Sequence, residues 1–134
     1  MGGECLKPYL GKNQANIELL PTGAEPAHEF LHSLDVFFFR YHPSITETFG
    51  RTVLEAMACG LPVVCEPRGG YTELIRHGEN GVLVKNQEDA LFWLEKLAAD
   101  IGLRKKLGTT ARKTTEKIYS QEAQCRFRDY YLAR

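Results

Sequence analysis

The chain has 134 residues, 43% of them hydrophobic and 25% charged, and its 17 Lys/Arg balance 17 Asp/Glu. That length fits one domain with one sizeable buried core, and the composition is that of an ordinary globular protein. No apolar run approaches the roughly 20 residues that cross a bilayer, and Met1-Gly2-Gly3-Glu4-Cys5-Leu6-Lys7 lacks the basic-then-apolar pattern of a secretory leader, so a cytoplasmic location is expected.

In chain order, Ile17-Glu18-Leu19-Leu20 is a short apolar run closed by Pro21 and Gly23 and predicts a strand. Glu25 to Ser33 has helical spacing, with Pro26 acceptable in a first turn. Val36-Phe37-Phe38-Phe39 is continuously apolar, the pattern of a strand covered on both faces. Gly50 to Ala58 predicts a helix that Gly60 and Pro62 stop, and Pro62 to Cys65 predicts a second buried strand. A short helix from Tyr71 to Arg76 follows the Gly69-Gly70 turn, and Asn80-Gly81 turns the chain into a strand at Val82-Leu83-Val84. Gln87 to Ala99 is amphipathic: Ala90, Leu91, Leu94, Leu97 and Ala98 line one stripe, with Trp93 packing at its edge. Two helices finish the chain, near Ile101–Ile118 with a break near Gly108, and near Gln121–Leu132.

Strands alternating with helices argue for an α/β fold with a parallel sheet and right-handed crossovers. Ligands gather at the carboxyl ends of the strands in such sheets, and the loop holding Glu47 follows the Val36–Phe39 strand. The four cysteines (Cys5, Cys59, Cys65, Cys125) show no C-x-x-C spacing and read as small buried thiols in a reducing compartment. Charge is uneven along the chain. From Asp100 onward nine cations (Arg104, Lys105, Lys106, Arg112, Lys113, Lys117, Arg126, Arg128, Arg134) face four acids (Asp100, Glu116, Glu122, Asp129), so this part is +5 and the rest −5. Such a surface suits anionic headgroups or nucleic acid, but solvated helix faces explain it as well. The expectation is no nucleic-acid partner, with peripheral membrane contact kept open.

Most of the functional information lies between Pro43 and Val64. A helix entrance presents backbone N–H groups and the positive end of the macrodipole, a seat for phosphate. With Thr48 or Glu47 near the cap, the amides of Phe49, Gly50, Arg51 and Thr52 are the expected donors, and Gly50 lets backbone approach an oxyanion. Glu55 lies about 9 Å along the axis from Phe49 at 1.5 Å per residue. Carboxylates on either side of the seat accept hydrogen bonds from sugar hydroxyls, so the arrangement suits a nucleotide-sugar. Read alone, Glu47 is equally a helix cap and Glu55 a surface residue. Glu73, three residues after Gly70, is either a ligand contact or an acid that suits a helix dipole.

The text around Glu47 and Glu55, E-T-F-G-R-T-V-L-E-A-M-A-C-G-L-P-V-V, resembles the signature of retaining glycosyltransferases of the GT-B fold, family 4 (glycosyltransferase group 1). The likeness continues through Arg68-Gly69-Gly70-Tyr71-Thr72-Glu73-Leu74-Ile75 and His77-Gly78-Glu79-Asn80-Gly81-Val82-Leu83-Val84, and it covers roughly residues 17–98. The resemblance implies a Rossmann-like parallel sheet with helices on both faces, an incomplete C-terminal half of a GT-B fold that binds the donor. By the same resemblance residues 1–134 form a single partial nucleotide-sugar-binding domain, with about 100–134 as its helical extension. It implies that Glu47 contacts the transferred sugar near the reacting centre and that Glu55 accepts hydrogen bonds from the ribose hydroxyls. It implies transfer from a nucleotide-diphosphate sugar to a sugar, lipid or small-molecule acceptor, with retention, no metal and no separate cofactor. Met1-Gly2-Gly3-Glu4 resembles the turn after the family's second donor-domain strand. The family's upstream Arg/Lys pair and its acceptor domain then have no counterpart here, and the chain alone is expected to be inactive. A non-catalytic nucleotide-binding or interaction module is the alternative.

His28-Glu29-Phe30-Leu31-His32 also matches H-E-x-x-H, which places two imidazoles on one helical face for zinc with a glutamate to activate water. The strand-forming run after Asp35 and the competing role of Glu55 make zinc hydrolysis the remote alternative. Two surface histidines on an amphipathic helix are the preferred reading. His42, beside Pro43, reads as a loop histidine.

Overall fold

The computed structural model describes residues 16–40 and 48–132. Three short strands, β1 (Phe37–Phe39), β2 (Val63–Cys65) and β3 (Val82–Leu83), form a parallel sheet in the order β1-β2-β3. Helices α1 (Ala27–His32), α2 (Arg51–Ala58), α3 (Gln87–Ala99), α4 (Ile101–Ile118) and α5 (Gln121–Leu132) surround it. β2 is central and buried at every residue, which is why Val63-Val64-Cys65 is apolar without alternation. Val63 and Cys65 face one hydrophobic cluster with Leu31, Val53, Met57 and Tyr71. Val64 faces a second with Val82, Val84, Ala90 and Leu97. Helices therefore cover both faces of the sheet, α1 and α2 on one and α3 on the other. α4 serves both clusters, through Ala111 in the first and Leu107 in the second.

The helix boundaries follow from local chemistry. α2 ends in a Schellman arrangement: Gly60 turns left-handed at φ 77°, its N–H donates to Met57 O (3.0 Å), and the Leu61 N–H donates to Ala56 O (3.1 Å). Asn86 caps α3 by accepting from the Asp89 N–H at 2.8 Å, and Asp100 caps α4 by accepting from the Leu103 N–H at 2.8 Å. The Asp100 cap separates two helices that would otherwise read as one.

Several expectations need correction. Ile17–Leu20 is not a strand; it pairs with no neighbour among the described residues, and its apolar side chains stay largely outside the core. Pro26 is the N-cap of α1, just outside the helix, whose six residues begin at Ala27. β1 is not covered on both faces: among the described residues it is an edge strand, and Phe38 is 43% exposed. The expected helix from Tyr71 to Arg76 is a single 3₁₀ turn over Gly70–Glu73. Asn80 limits it, because its Oδ1 accepts from the Arg76 N–H (2.7 Å) and its Nδ2 donates to Leu74 O (2.9 Å), groups a longer helix would pair internally. The buried stripe of α3 runs through Ala90, Trp93, Leu94 and Leu97, whereas Leu91 and Ala98 are exposed. The helix is rotated slightly so that the indole joins the core.

α4 is unbroken at Gly108. The glycine is there for proximity, since a Cβ at 108 would overlap the Gly60 carbonyl on α2's C-terminal turn. Gly108→Ala should therefore cost at least about 2 kcal/mol, as overpacking does, read from urea unfolding. A loss below about 0.5 kcal/mol would show that α2 and α4 do not need this contact.

Of the cysteines described, Cys65 is fully buried, and Cys59 and Cys125 are half-buried; all three are free thiols, and Cys5 lies outside the described residues. Desolvation pushes the Cys65 thiol from 9.0 up to about 12. Raised in the folded state, this thiol contributes stability below pH 9 that is lost as pH climbs toward 12. Cys59 and Cys125 should react with iodoacetamide in the folded chain while Cys65 does not, and Cys65→Ala should flatten the loss of stability between pH 9 and 12. Equal labelling of all three would contradict this burial.

Candidate functional site

The β1–α2 and β2–3₁₀ connections leave the sheet at the same carboxyl edge and meet there. The Gly70 N–H donates to Thr48 O at 3.0 Å, and a Cβ at Gly70 would meet that carbonyl oxygen at 2.6 Å. Gly50 sits left-handed at φ 76° with its Cα against the Tyr71 ring, where a Cβ would collide. Tyr71 is wholly buried; its hydroxyl donates to Glu66 O at 2.8 Å and its ring meets Phe39 edge-on at 6.3 Å. Two glycine turns and one tyrosine thus fix where α2 begins.

The cap of α2 is Gly50, not Thr48 or Glu47. The N–H groups of Val53 (3.0 Å) and Leu54 (3.2 Å) donate to the Gly50 carbonyl. No side chain among the described residues caps the first turn. The amides of Arg51 and Thr52 therefore head the helix at its positive end, while those of Phe49 and Gly50 belong to the turn before it.

Of the residues singled out from the sequence, the structure brings Phe49, Gly50, Arg51, Thr52 and Glu55 to this one mouth. Phe49 is 53% exposed, beside the turn. The Arg51 Nε donates to Glu55 Oε1 at 3.1 Å, an i,i+4 pair in which the arginine side chain is 85% exposed and the glutamate 40%. So exposed a pair is weak and is displaced at little cost by a ligand. Glu47 and His42 lie outside the described residues. Glu73 is exposed and lines a groove toward α4 and α5, on the far side of its turn.

An ion pair that sequence reasoning missed lies at the same edge: the Arg40 Nε contacts Glu66 Oε1 at 2.7 Å, with the glutamate almost buried. These residues are far apart in sequence, and only the register Phe39↔Cys65 places the next residue of each strand side by side. Tyr71 was also read merely as a helix start; its lack of a charged neighbour hid its role as the wall behind Gly50. The zinc motif gains nothing from the fold. His28 and Glu29 are exposed on the two-turn α1, and no group of three His, Cys, Asp or Glu able to hold a metal occurs among the described residues.

The comparisons with known proteins agree with this geometry. The family model described as "Glycosyl transferases group 1" matches residues 11–114. A D-inositol 3-phosphate glycosyltransferase of Streptomyces bingchenggensis is 38% identical over 91 residues, 66% of this chain and 20% of that protein. An uncharacterized glycosyltransferase of Methanocaldococcus jannaschii is 39% identical over 80 residues, 58% of this chain and 20% of that protein. The chain thus spans about a fifth of the length of these curated relatives. Among solved structures, the C-terminal domain of a group 1 glycosyl transferase from Francisella tularensis superposes with a TM-score of 0.69 at 24% identity, covering 89% of this chain and 65% of that one. The Anabaena protein HepE, solved in complex with UDP, superposes with a TM-score of 0.66 at 24% identity, covering 78% of this chain and 29% of that one. These likenesses show the fold, that of GT-B C-terminal halves.

The mouth yields a direct test of its own construction. Gly50→Ala forces a side chain into a left-handed conformation and into the Tyr71 ring, and should lose about 2 kcal/mol or more; Arg51→Ala, at an exposed position, should change stability by less than about 0.5 kcal/mol. Calorimetric melting of both variants checks this, and a harmless Gly50→Ala would contradict the packing. The family model and the fold together establish that this chain belongs to the group 1 glycosyl transferases.

Proposed function

We propose that the α2 mouth seats the diphosphate of a nucleotide-sugar donor, and that the chain supplies the donor-binding part of a retaining, family 4 enzyme. The observation that carries this reading is the juncture at the sheet's carboxyl edge. There, among the described residues, no side chain caps the glycine-headed helix start, and Glu55 lies one turn further along the same helix. Gly50 keeps the turn low enough for an anion to reach the Arg51 and Thr52 amides. Glu55, once released from Arg51, accepts hydrogen bonds from the ribose hydroxyls.

In the reaction the bond from the sugar's anomeric carbon to the β-phosphate oxygen breaks, and the leaving diphosphate gains charge. Amides already aimed at it stabilise that charge without reorganising. Glu47 contacts the transferred sugar and offsets the positive charge that develops on it, and the acceptor hydroxyl attacks on the face the diphosphate leaves, passing its proton to the departing β-phosphate oxygen. Arg51 is a local cation that turns from Glu55 to the diphosphate when donor enters. The HepE complex with UDP supports a uridine nucleotide as the first donor to try. The acceptor (a sugar, lipid or small molecule) binds outside this chain, and a cytoplasmic site of action at the inner membrane face belongs to the same proposal.

Titration calorimetry of the chain with UDP, GDP and ADP tests the seat. One nucleoside diphosphate should bind, and Glu55→Ala should weaken it by about 10- to 100-fold, the worth of a hydrogen bond to a charged group. Glu47→Ala should leave that affinity nearly unchanged yet lower kcat by about 100-fold or more when transfer is assayed in an enzyme that includes the acceptor-binding part. Unaltered affinity in Glu55→Ala together with unaltered turnover in Glu47→Ala would overturn the assignment.

A further inference from the structure

A second concavity, away from the α2 mouth, is built by α4, α5 and the segment from Glu73 to Asn80. Its volume is about 940 Å³, in the upper range of small-molecule sites. One wall is the face of α5 that recurs at helical spacing: Ala123, Phe127, Tyr130 and Tyr131. α5 buries no residue, and Tyr130 is 70% exposed, so twelve residues of helix hold an aromatic stripe over an open groove. Isolated helices of this length are marginal in water. The α4 wall carries Lys113 and Lys117 one turn apart, and α5 adds Arg126 beside its aromatic residues. Among the described residues none of these three cations makes an ion pair, whereas Glu79 on the rim is partnered by Arg76 at 3.9 Å. Asn80 fixes the floor to α4, its Nδ2 donating to Thr114 Oγ1 at 3.0 Å.

We propose that this groove binds a single anionic amphiphile, with a phosphate headgroup on the Lys113–Lys117–Arg126 side and an apolar body against Phe127, Tyr130 and Tyr131. Two properties select that chemistry. Arg76, Lys113, Lys117 and Arg126 outnumber Glu73 and Glu79 along the groove and leave it net positive, which a phosphate complements. The facing aromatics offer apolar and ring-stacking area that a free inorganic anion would leave wet. A concave groove between two helices suits one molecule rather than the plane of a bilayer, and the inference stands independently of the donor-site reading.

The test uses the chain itself with decyl phosphate below its micellar concentration, monitored by tyrosine fluorescence and calorimetry. Decyl phosphate should bind at least about tenfold more tightly than inorganic phosphate, because burying each methylene adds favourable transfer energy, and more tightly than uncharged decyl maltoside. Lys113→Glu with Lys117→Glu, both exposed and neutral to the fold, should cost about tenfold or more. Tyr130→Ala with Tyr131→Ala should remove the advantage over inorganic phosphate. Each of three results would overturn the proposal: no preference for decyl phosphate, binding unchanged in the lysine variant, or binding only to phosphatidylglycerol vesicles. Sedimentation should show a monomer under these conditions. A dimer that the lysine and tyrosine changes dissociate, without amphiphile binding, would assign the groove to a second copy and end the proposal.

Discussion

The structure depends on how closely two turns approach each other at one edge of a small sheet. Thr48 O meets the Gly70 N–H, and the Tyr71 ring lies on the Cα of Gly50. A side chain at Gly70 would collide with the Thr48 carbonyl, and one at Gly50 with the Tyr71 ring. Because Tyr71 is anchored through its hydroxyl to Glu66 at the end of β2, the start of α2 is tied to the central strand and not only to its own loop. In the proposed donor seat, a helix mouth held this way needs no ordering when an anion enters. The same economy of side chains recurs at the other end of α2, where Gly60 and Gly108 let α4 approach the helix's last turn. α2 is therefore gripped at both ends by glycine contacts, and its buried face (Val53, Leu54, Ala56, Met57) fills one side of the core.

This division explains why the exposed face of α2 is free to serve chemistry. Arg51, Thr52 and Glu55 contribute nothing to the core, and their one mutual pair is solvent-exposed. Stability resides in glycines and apolar residues, and the proposed donor seat in an adjacent set of polar groups and amides. The Arg40–Glu66 pair closes the same edge between β1 and β2. The pair leaves the two charges at this edge mutually compensated.

Much of this was legible in the residues because periodicity and punctuation are local. α3, α4 and α5 have the expected bounds, since amphipathic runs and capping residues such as Asn86 and Asp100 act within a few positions. The gathering of Phe49, Gly50, Arg51, Thr52 and Glu55 was also readable, as they share one helix start. What was not readable depended on partners distant in sequence. Ile17–Leu20 has strand composition but no ladder to join. Phe38 looks like a core residue but lies on an edge strand. Gly108 reads as a helix breaker until Gly60 is seen against it, and the Arg40–Glu66 pair exists only through strand register. Tyr71 illustrates the point most clearly, because a buried tyrosine behind a glycine leaves no mark in the spacing of either.

The central claim is that backbone amides at the start of α2 grip a pyrophosphate. Amide proton–nitrogen spectra of the labelled chain, followed while inorganic pyrophosphate and then UDP are added, test this most directly. If the seat is where we place it, the Gly50, Arg51 and Thr52 amides move first and furthest, and Gly50→Ala abolishes those shifts while the folded spectrum of α3 persists. Shifts confined to α4 and α5, or saturation that leaves those three amides unmoved, would contradict it.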